Sequence, residues 1–217
     1  MTKGRRRIAV YGGTFDPVHV GHAAVARNLL RLFGLDEVLF VPAFVAPHKR
    51  GRKVSPAFDR DAMLALATQG EESLRVSTVE LSAPEKPYTV ETLTRFCETL
   101  GGAARLFFVM GADSWAEITT WREWERLLAM SDHVVVTRPG YEIEAAHVTE
   151  EARARIVDLR GAGGGQAARA LDGEDGPKIF FSDAVKLEIS STDVRRASGC
   201  GETTVALRVI RASRTLK

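Results

Sequence analysis

The chain is poor in cysteine. Only Cys97 and Cys200 occur in 217 residues, and neither CxxC nor CxH spacing is present. That argues against a disulfide framework and a cysteine zinc site, and it fits a reducing compartment. Long apolar runs are missing as well. The opening MTKGRRRIAVYGG has a basic front, but the apolar run behind it is too short for a signal-peptide core. No stretch approaches the length of a membrane span, so the expected location is the cytoplasm. The phosphate loop GxxxxGK[ST] is absent too, so a nucleotide site would have to be built another way.

What is present suits one sizeable domain over residues 1–217 with a core of its own. The apolar share of 45% and charged share of 27% are those of an ordinary globular protein. The net charge of +2 is small but uneven, because residues 1–60 hold 11 Lys and Arg against 4 Asp and Glu. A basic opening third suits an anionic ligand, although a solvated basic face would give the same count.

Short apolar runs alternate with helical patterns. RRRIAVYG, EVLFVP at 37–42, LRVSTVEL at 74–81, RLFFVMG at 105–111, DHVVVTRP at 132–139 and KIFFSD at 178–183 read as strands. Their nearly continuous apolar character predicts strands covered on both faces. Between them HAAVARNLLRLFG, SPAFDRDAMLALATQ, TVETLTRFCETL and WREWERLLAM read as helices. The alternation predicts an α/β fold, a Rossmann-like open parallel sheet with helices on both faces. The Gly-rich stretch at 161–177 lacks periodicity and has Gln166 where a dinucleotide fingerprint needs its third glycine, so it reads as a loop.

The densest local signal is YGGTFDPVHVGH at 11–22. Asp16 followed by Pro17 predicts an N-cap and first helical residue. His19 and His22 then lie one turn apart on one face, near unpaired N–H groups and the positive end of the helix dipole. Gly12 and Gly13 let the backbone approach a ligand, and Gly21 inside the helix costs roughly 1 kcal/mol relative to Ala. A phosphate satisfies all of these features together. Zinc held by His19, His22 and His48 is the weaker alternative.

A second signal lies at the far end, in ISSTDVR at 189–195, where Ser and Thr can cap a helix and Arg195 projects one turn on. Together GGTFDPVHVGH and ISSTDVR resemble the (H/T)xGH and ISSTxxR signatures of the nucleotidylyltransferase superfamily. VPAFVAPHK at 41–49, KPYTVETL at 86–93, GADSW at 111–115, TTWREWERLL at 119–128 and RPGYEIE at 138–144 extend the resemblance to the bacterial nicotinate-nucleotide adenylyltransferases. The resemblance covers about residues 7–144 and 178–196. The end, GCGETTVALRVIRASRTLK, departs from it in lacking tyrosine, and residues 145–177 are unusually rich in Ala and Gly. A helical part from about 190 to 217 is expected all the same.

The resemblance implies in-line attack of the nicotinate mononucleotide phosphate on the α-phosphorus of ATP, with Mg²⁺ accompanying the ATP. It implies His19, His22 and Arg195 as catalytic groups. Gly12, Gly13, Thr14, Lys49, Asp113, Ser190, Ser191 and Thr192 join His22 and Arg195 on the ATP side. Asp16, His48, Thr89, Trp121, Arg122 and Arg138 make up the nicotinate-nucleotide side, with Trp121 stacking on the pyridine ring and Asp113 taking the ATP ribose. No resident metal, nucleic acid or membrane partner is implied, and self-association is left open. A sibling enzyme acting on nicotinamide mononucleotide or another phosphate, and a nucleotide-binding protein without turnover, remain as alternatives.

Overall fold

The computed structural model of the chain describes residues 5–44, 54–83, 85, 87–137, 143–162, 164–171, 176–183 and 191–198. Seven strands form one sheet: β1 (Arg6–Gly13), β2 (Glu37–Pro42), β3 (Leu74–Val76), β4 (Ala104–Gly111), β5 (Asp132–Val136), β6 (Ile156–Asp158) and β7 (Ile179–Ser182). Their order is β3-β2-β1-β4-β5-β7-β6, and every neighbouring pair is parallel. The helices are α1 (Val20–Phe33), α2 (Ala57–Thr68), α3 (Thr89–Leu100), α4 (Ala112–Ala116), α5 (Trp124–Met130), α6 (Glu150–Ala154), α7 (Gly164–Leu171) and α8 (Ser191–Ser198). Among the described residues no helix is long and apolar enough to cross a membrane.

The expected covering on both faces is realised through strict alternation along the strands. Ala9, Phe107, Val109, Val134 and Phe180 pack on one side, with Val25, Ala26, Leu29 and Phe33 of α1, Leu64 of α2, and Ala167 and Leu171 of α7. Ile8, Val10, Phe108, Met110, Val135 and Phe181 pack on the other, with Val90 and Leu93 of α3, Trp115 of α4, Leu127 and Leu128 of α5, and Ala152 of α6. Period-2 side-chain direction in the strands thus creates two cores, one per face.

Four details differ from the sequence-based expectations. β3 stops at Val76, although Ser77 still donates to Phe40 O at 2.9 Å. Edge strand β6 is too short, at 3 residues, to show a pattern. The Gly-rich stretch read as a loop contains α7, because Ala167 and Leu171 are one turn apart and bury against the sheet. Tertiary burial outweighs the glycine penalty there.

The fourth difference concerns α1, which begins at Val20 with His19 as N-cap, not at Pro17 after Asp16. A helix starting at Pro17 would offer the carbonyls of Asp16 and Pro17 to its own amides. Both are instead taken by side chains of α8, from Arg195 and Ser191. Residues 14–17 therefore form a turn, with a cis Asp16–Pro17 peptide and Phe15 at φ 49°. α1 ends as its sequence suggests: Gly34 is left-handed at φ 58°, and the N–H of Gly34 and that of Leu35 both reach Leu30 O.

His133, at the start of β5, is fully buried, and its Nδ1–H donates to Ser131 O at 2.8 Å. Burial pulls its pKa from 6.5 to about 4, helped by the charge of Arg155 and opposed by the Ser131 hydrogen bond. The unfolded chain protonates this ring below about pH 6.5, and the folded chain only below about pH 4. Stability is therefore full above that window and falls with pH inside it, by about 3 kcal/mol in total. Thermal melts from pH 7 to 4.5 should show this loss, and His133→Leu should flatten the profile. Equally steep profiles for the two proteins would contradict the assignment.

Candidate active site

The chain runs β1-β2-β3 outward in one direction and returns to place β4 on the other side of β1. The carboxyl ends of β1 and β4 therefore flank the point where strand order reverses, where open α/β sheets bind ligands. β1 ends there in Gly12 and Gly13, and β4 ends in Gly111, followed by Asp113 in the first turn of α4. A Cβ on Gly13 would stand 2.9 Å from the Phe15 ring, and one on Gly12 would stand 3.3 Å from the Phe108 ring. Gly13 is needed because Phe15 folds back over it. A Cβ on Gly111 would collide with the carboxylate of Asp113.

His19 and His22 share one face, as their spacing predicts. Their rings stack at 3.8 Å between centroids, and the His19 N–H donates to His22 Nδ1 at 3.2 Å. In neutral His22 that acceptor role puts the proton on Nε2, making the far nitrogen a donor. Phe15 meets the His22 ring edge-on at 5.0 Å and Tyr11 at 6.2 Å. His19 itself is 5% exposed. The arrangement is a rigid imidazole pair at a helix N-terminus, suited to donating hydrogen bonds to an anion.

The second signature lies against the first. Ser191 Oγ donates to Pro17 O at 3.0 Å, and Arg195 donates to Asp16 O and, at 3.2 Å, to Thr192 Oγ1. The Asp16 carboxylate, on a side chain 7% exposed, stands 4.0 Å from the Arg195 guanidinium and accepts from Ser55 N at 3.4 Å. Asp16 thus does not cap α1; it joins the first motif to the last helix. Asp113 is exposed and accepts from Ser114 N at 3.0 Å, with Gly111 in the N-cap position.

A second group gathers beside β4. The Trp121 ring packs against Phe108 at 6.4 Å, and Phe108 lies beside Gly12. Arg122 lies 4.7 Å over the Tyr88 ring and 3.4 Å from Glu91, which brings it to the start of α3, where Thr89 is the first residue. Trp121 and Trp124 are both half-buried against the same core. Ser190, His48, Lys49 and Arg138 lie outside the described residues, and so does the chain end after 198. Among the described residues no three His, Cys, Asp or Glu side chains gather as metal ligands. His48, which the zinc alternative needs, is not among them.

Two buried charged residues beside these motifs escaped the sequence reading. Arg60 in α2 is 1% exposed and donates to Thr14 O at 2.7 Å, Ala43 O at 2.7 Å, Ser55 O at 3.0 Å and Phe44 O at 3.4 Å. Glu80 accepts from Thr92 Oγ1 at 2.9 Å and from Phe44 N at 3.2 Å. Burial pushes the Glu80 carboxyl up, opposed by these donors and by the charge of Arg60. Arg60 had a signal. It sits on the same helical stripe as the buried Met63 and Leu64, where an apolar residue belongs.

A family model described as cytidylyltransferase-like matches residues 10–197. A probable nicotinate-nucleotide adenylyltransferase of Desulfatibacillum aliphaticivorans is 36% identical over 200 residues, covering 90% of each chain. A probable nicotinate-nucleotide adenylyltransferase of Symbiobacterium thermophilum is 37% identical, covering 90% of this chain and 85% of the relative. The solved structure of Plasmodium falciparum nicotinic acid mononucleotide adenylyltransferase complexed with NaAD superposes with a TM-score of 0.61. It shares 18% identity, covers 88% of this chain and 83% of its own, and agrees in fold.

The geometry at Gly13 has a direct consequence. The Phe15 ring is held by Tyr11, His22 and Phe40, so it cannot yield to a Cβ on Gly13 without disturbing His22. Gly13→Ala should therefore lower stability by about 1–3 kcal/mol. A Cβ on Gly102 meets nothing within 4 Å, so Gly102→Ala should stay within about 0.5 kcal/mol of the parent. Denaturant melts of the two variants check this, and equal effects would contradict the packing argument.

Proposed function

The chain belongs to the cytidylyltransferase-like family, among the nicotinate-nucleotide adenylyltransferases, and we propose that its site joins the adenylyl group of ATP to nicotinate mononucleotide. The products are nicotinate adenine dinucleotide and pyrophosphate, in NAD biosynthesis. The observation that carries the reading is the docking of α8, through Ser191 and Arg195 of the second signature, onto Asp16 and Pro17 of GGTFDPVHVGH just after β1. The two signatures, more than 170 residues apart in sequence, border one crevice.

Direct displacement at phosphorus asks the protein for alignment and for charge stabilisation rather than for a nucleophile of its own. The parts support that division of labour. Gly12, Gly13 and Thr14 bring backbone up to the phosphates. His22, with its proton on Nε2, donates to the α-phosphate oxygens as charge builds there, and the stacked ring of His19 keeps it in place while donating alongside. Arg195, with Ser191 and Thr192 at the start of α8, takes the β- and γ-phosphates together with Ser190 and Lys49 of the sequence motifs, and Asp113 takes the ribose hydroxyls. Trp121 stacks on the pyridine ring, Thr89 and the backbone at Arg122 meet its carboxylate, His48 and Arg138 complete the mononucleotide side, and Asp16 serves it by holding the turn to α8.

Mg²⁺, carried by the ATP phosphates as part of the substrate, would supply charge neutralisation for the departing pyrophosphate. The donor set fits that role for it. The site offers N–H and O–H donors, and the Asp16 carboxylate is already taken up by Ser55 and the guanidinium of Arg195.

Purified protein should release pyrophosphate fastest with nicotinate mononucleotide, and more slowly with the amide form or with phosphopantetheine. Equal or better use of either would overturn the substrate assignment. ATP binding without dinucleotide formation at any substrate level would make the chain a binding protein. His22→Ala should keep ATP affinity and lose at least about a hundredfold in kcat. Near-normal turnover in that variant would remove His22 from the chemistry.

A further inference from the structure

Arg60 lies beneath the phosphate-binding turn. Its guanidinium reaches carbonyls on three separate segments: Thr14 after β1, Ala43 and Phe44 after β2, and Ser55 before α2. The carboxylates of Asp16 and Glu80 face it and oppose the lowering of its pKa by burial. A buried arginine spent on backbone carbonyls does more than balance charge. Its planar fork of donors fixes directions, which the single nitrogen of a lysine cannot do for three segments at once.

The bond to Thr14 O falls on the peptide that leads into Phe15. Phe15 is a bulky aromatic residue held at φ 49°, a conformation that costs such a residue free energy unless its surroundings enforce it. In a trans peptide the C=O and the following N–H point opposite ways, so anchoring Thr14 O turns the Phe15 N–H away from Arg60. On the other side Arg195 takes Asp16 O and Ser191 takes Pro17 O. Three of the four carbonyls of residues 14–17 are thereby held by side chains from α2 and α8.

We propose that Arg60 is a positioning residue for adenylyl transfer, holding the strained Thr14–Phe15 peptide so that the turn meets the ATP phosphates in one conformation. The proposal rests on the reading that this turn binds those phosphates. Pre-organised donors need no rearrangement when charge develops, and small misplacements at such a site are costly.

The test compares full-length wild type with Arg60→Lys and Arg60→Met. Calorimetry with an α,β-methylene ATP analogue, AMP and adenosine gives three affinities, each measured well below the melting point of the variant. The analogue should bind at least about tenfold more weakly in both variants, AMP should lose less, and adenosine should be nearly unchanged. The kcat for dinucleotide formation should fall by at least about thirtyfold. Equal losses for the three ligands, or no loss, would overturn the proposal, because a purely structural role has no reason to select phosphates. Failure of both variants to fold in saturating ATP would overturn it as well. A wild type that forms no dinucleotide, while the phosphate-selective loss persists, would overturn the reaction assigned above and leave the role of Arg60 standing.

Discussion

Residues 14–17 form a turn because their carbonyls are claimed from outside. Arg60 takes Thr14 O, Arg195 takes Asp16 O and Ser191 takes Pro17 O, across sequence separations of 46, 179 and 174 residues. Left to itself, Asp-Pro before a run of helix formers starts a helix. Here those carbonyls are not free to join one, so α1 starts three residues later. His19 then occupies the N-cap and His22 the third helical position. That offset lets the His19 N–H reach His22 Nδ1. The orientation of the imidazole pair follows from the anchoring of the turn.

The same anchoring organises charge. Asp16 is buried, and its cationic surroundings come from both ends of the chain, Arg60 from α2 and Arg195 from α8. One buried carboxylate thus neutralises part of two guanidinium charges and keeps them close to the turn after β1. Buried charges are costly without partners, and each of these has several. Of the eleven Lys and Arg in residues 1–60, Arg60 is thereby placed beside the first motif.

The sheet supplies the frame. Parallel strands with a strand-order reversal at β1 and β4 bring Gly13 and Gly111 to neighbouring carboxyl ends, although 98 residues separate them. Phe108 on β4 lies beside Gly12 and also meets the Trp121 ring, so one aromatic ring touches both groups. Most of this was legible in advance. Apolar runs bounded by Gly and Pro marked six of the seven strands, and the motifs fell at strand ends. β6 and α7 were not legible, since three residues show no period and Gly-rich composition suggests a loop.

The sequence by itself determined the local motifs. Two imidazoles one turn apart, glycines closing a strand, and a Ser-Ser-Thr start with an arginine one turn on depend on residue identity and spacing within a few positions. Local rules read such spacing well. Only the tertiary structure decided that Asp16 is a junction and not a cap, that Arg60 belongs with the turn, and that Ala167 and Leu171 make a helix worth forming. In each case a partner from a distant segment supplies a hydrogen bond or a buried surface that outweighs the local preference.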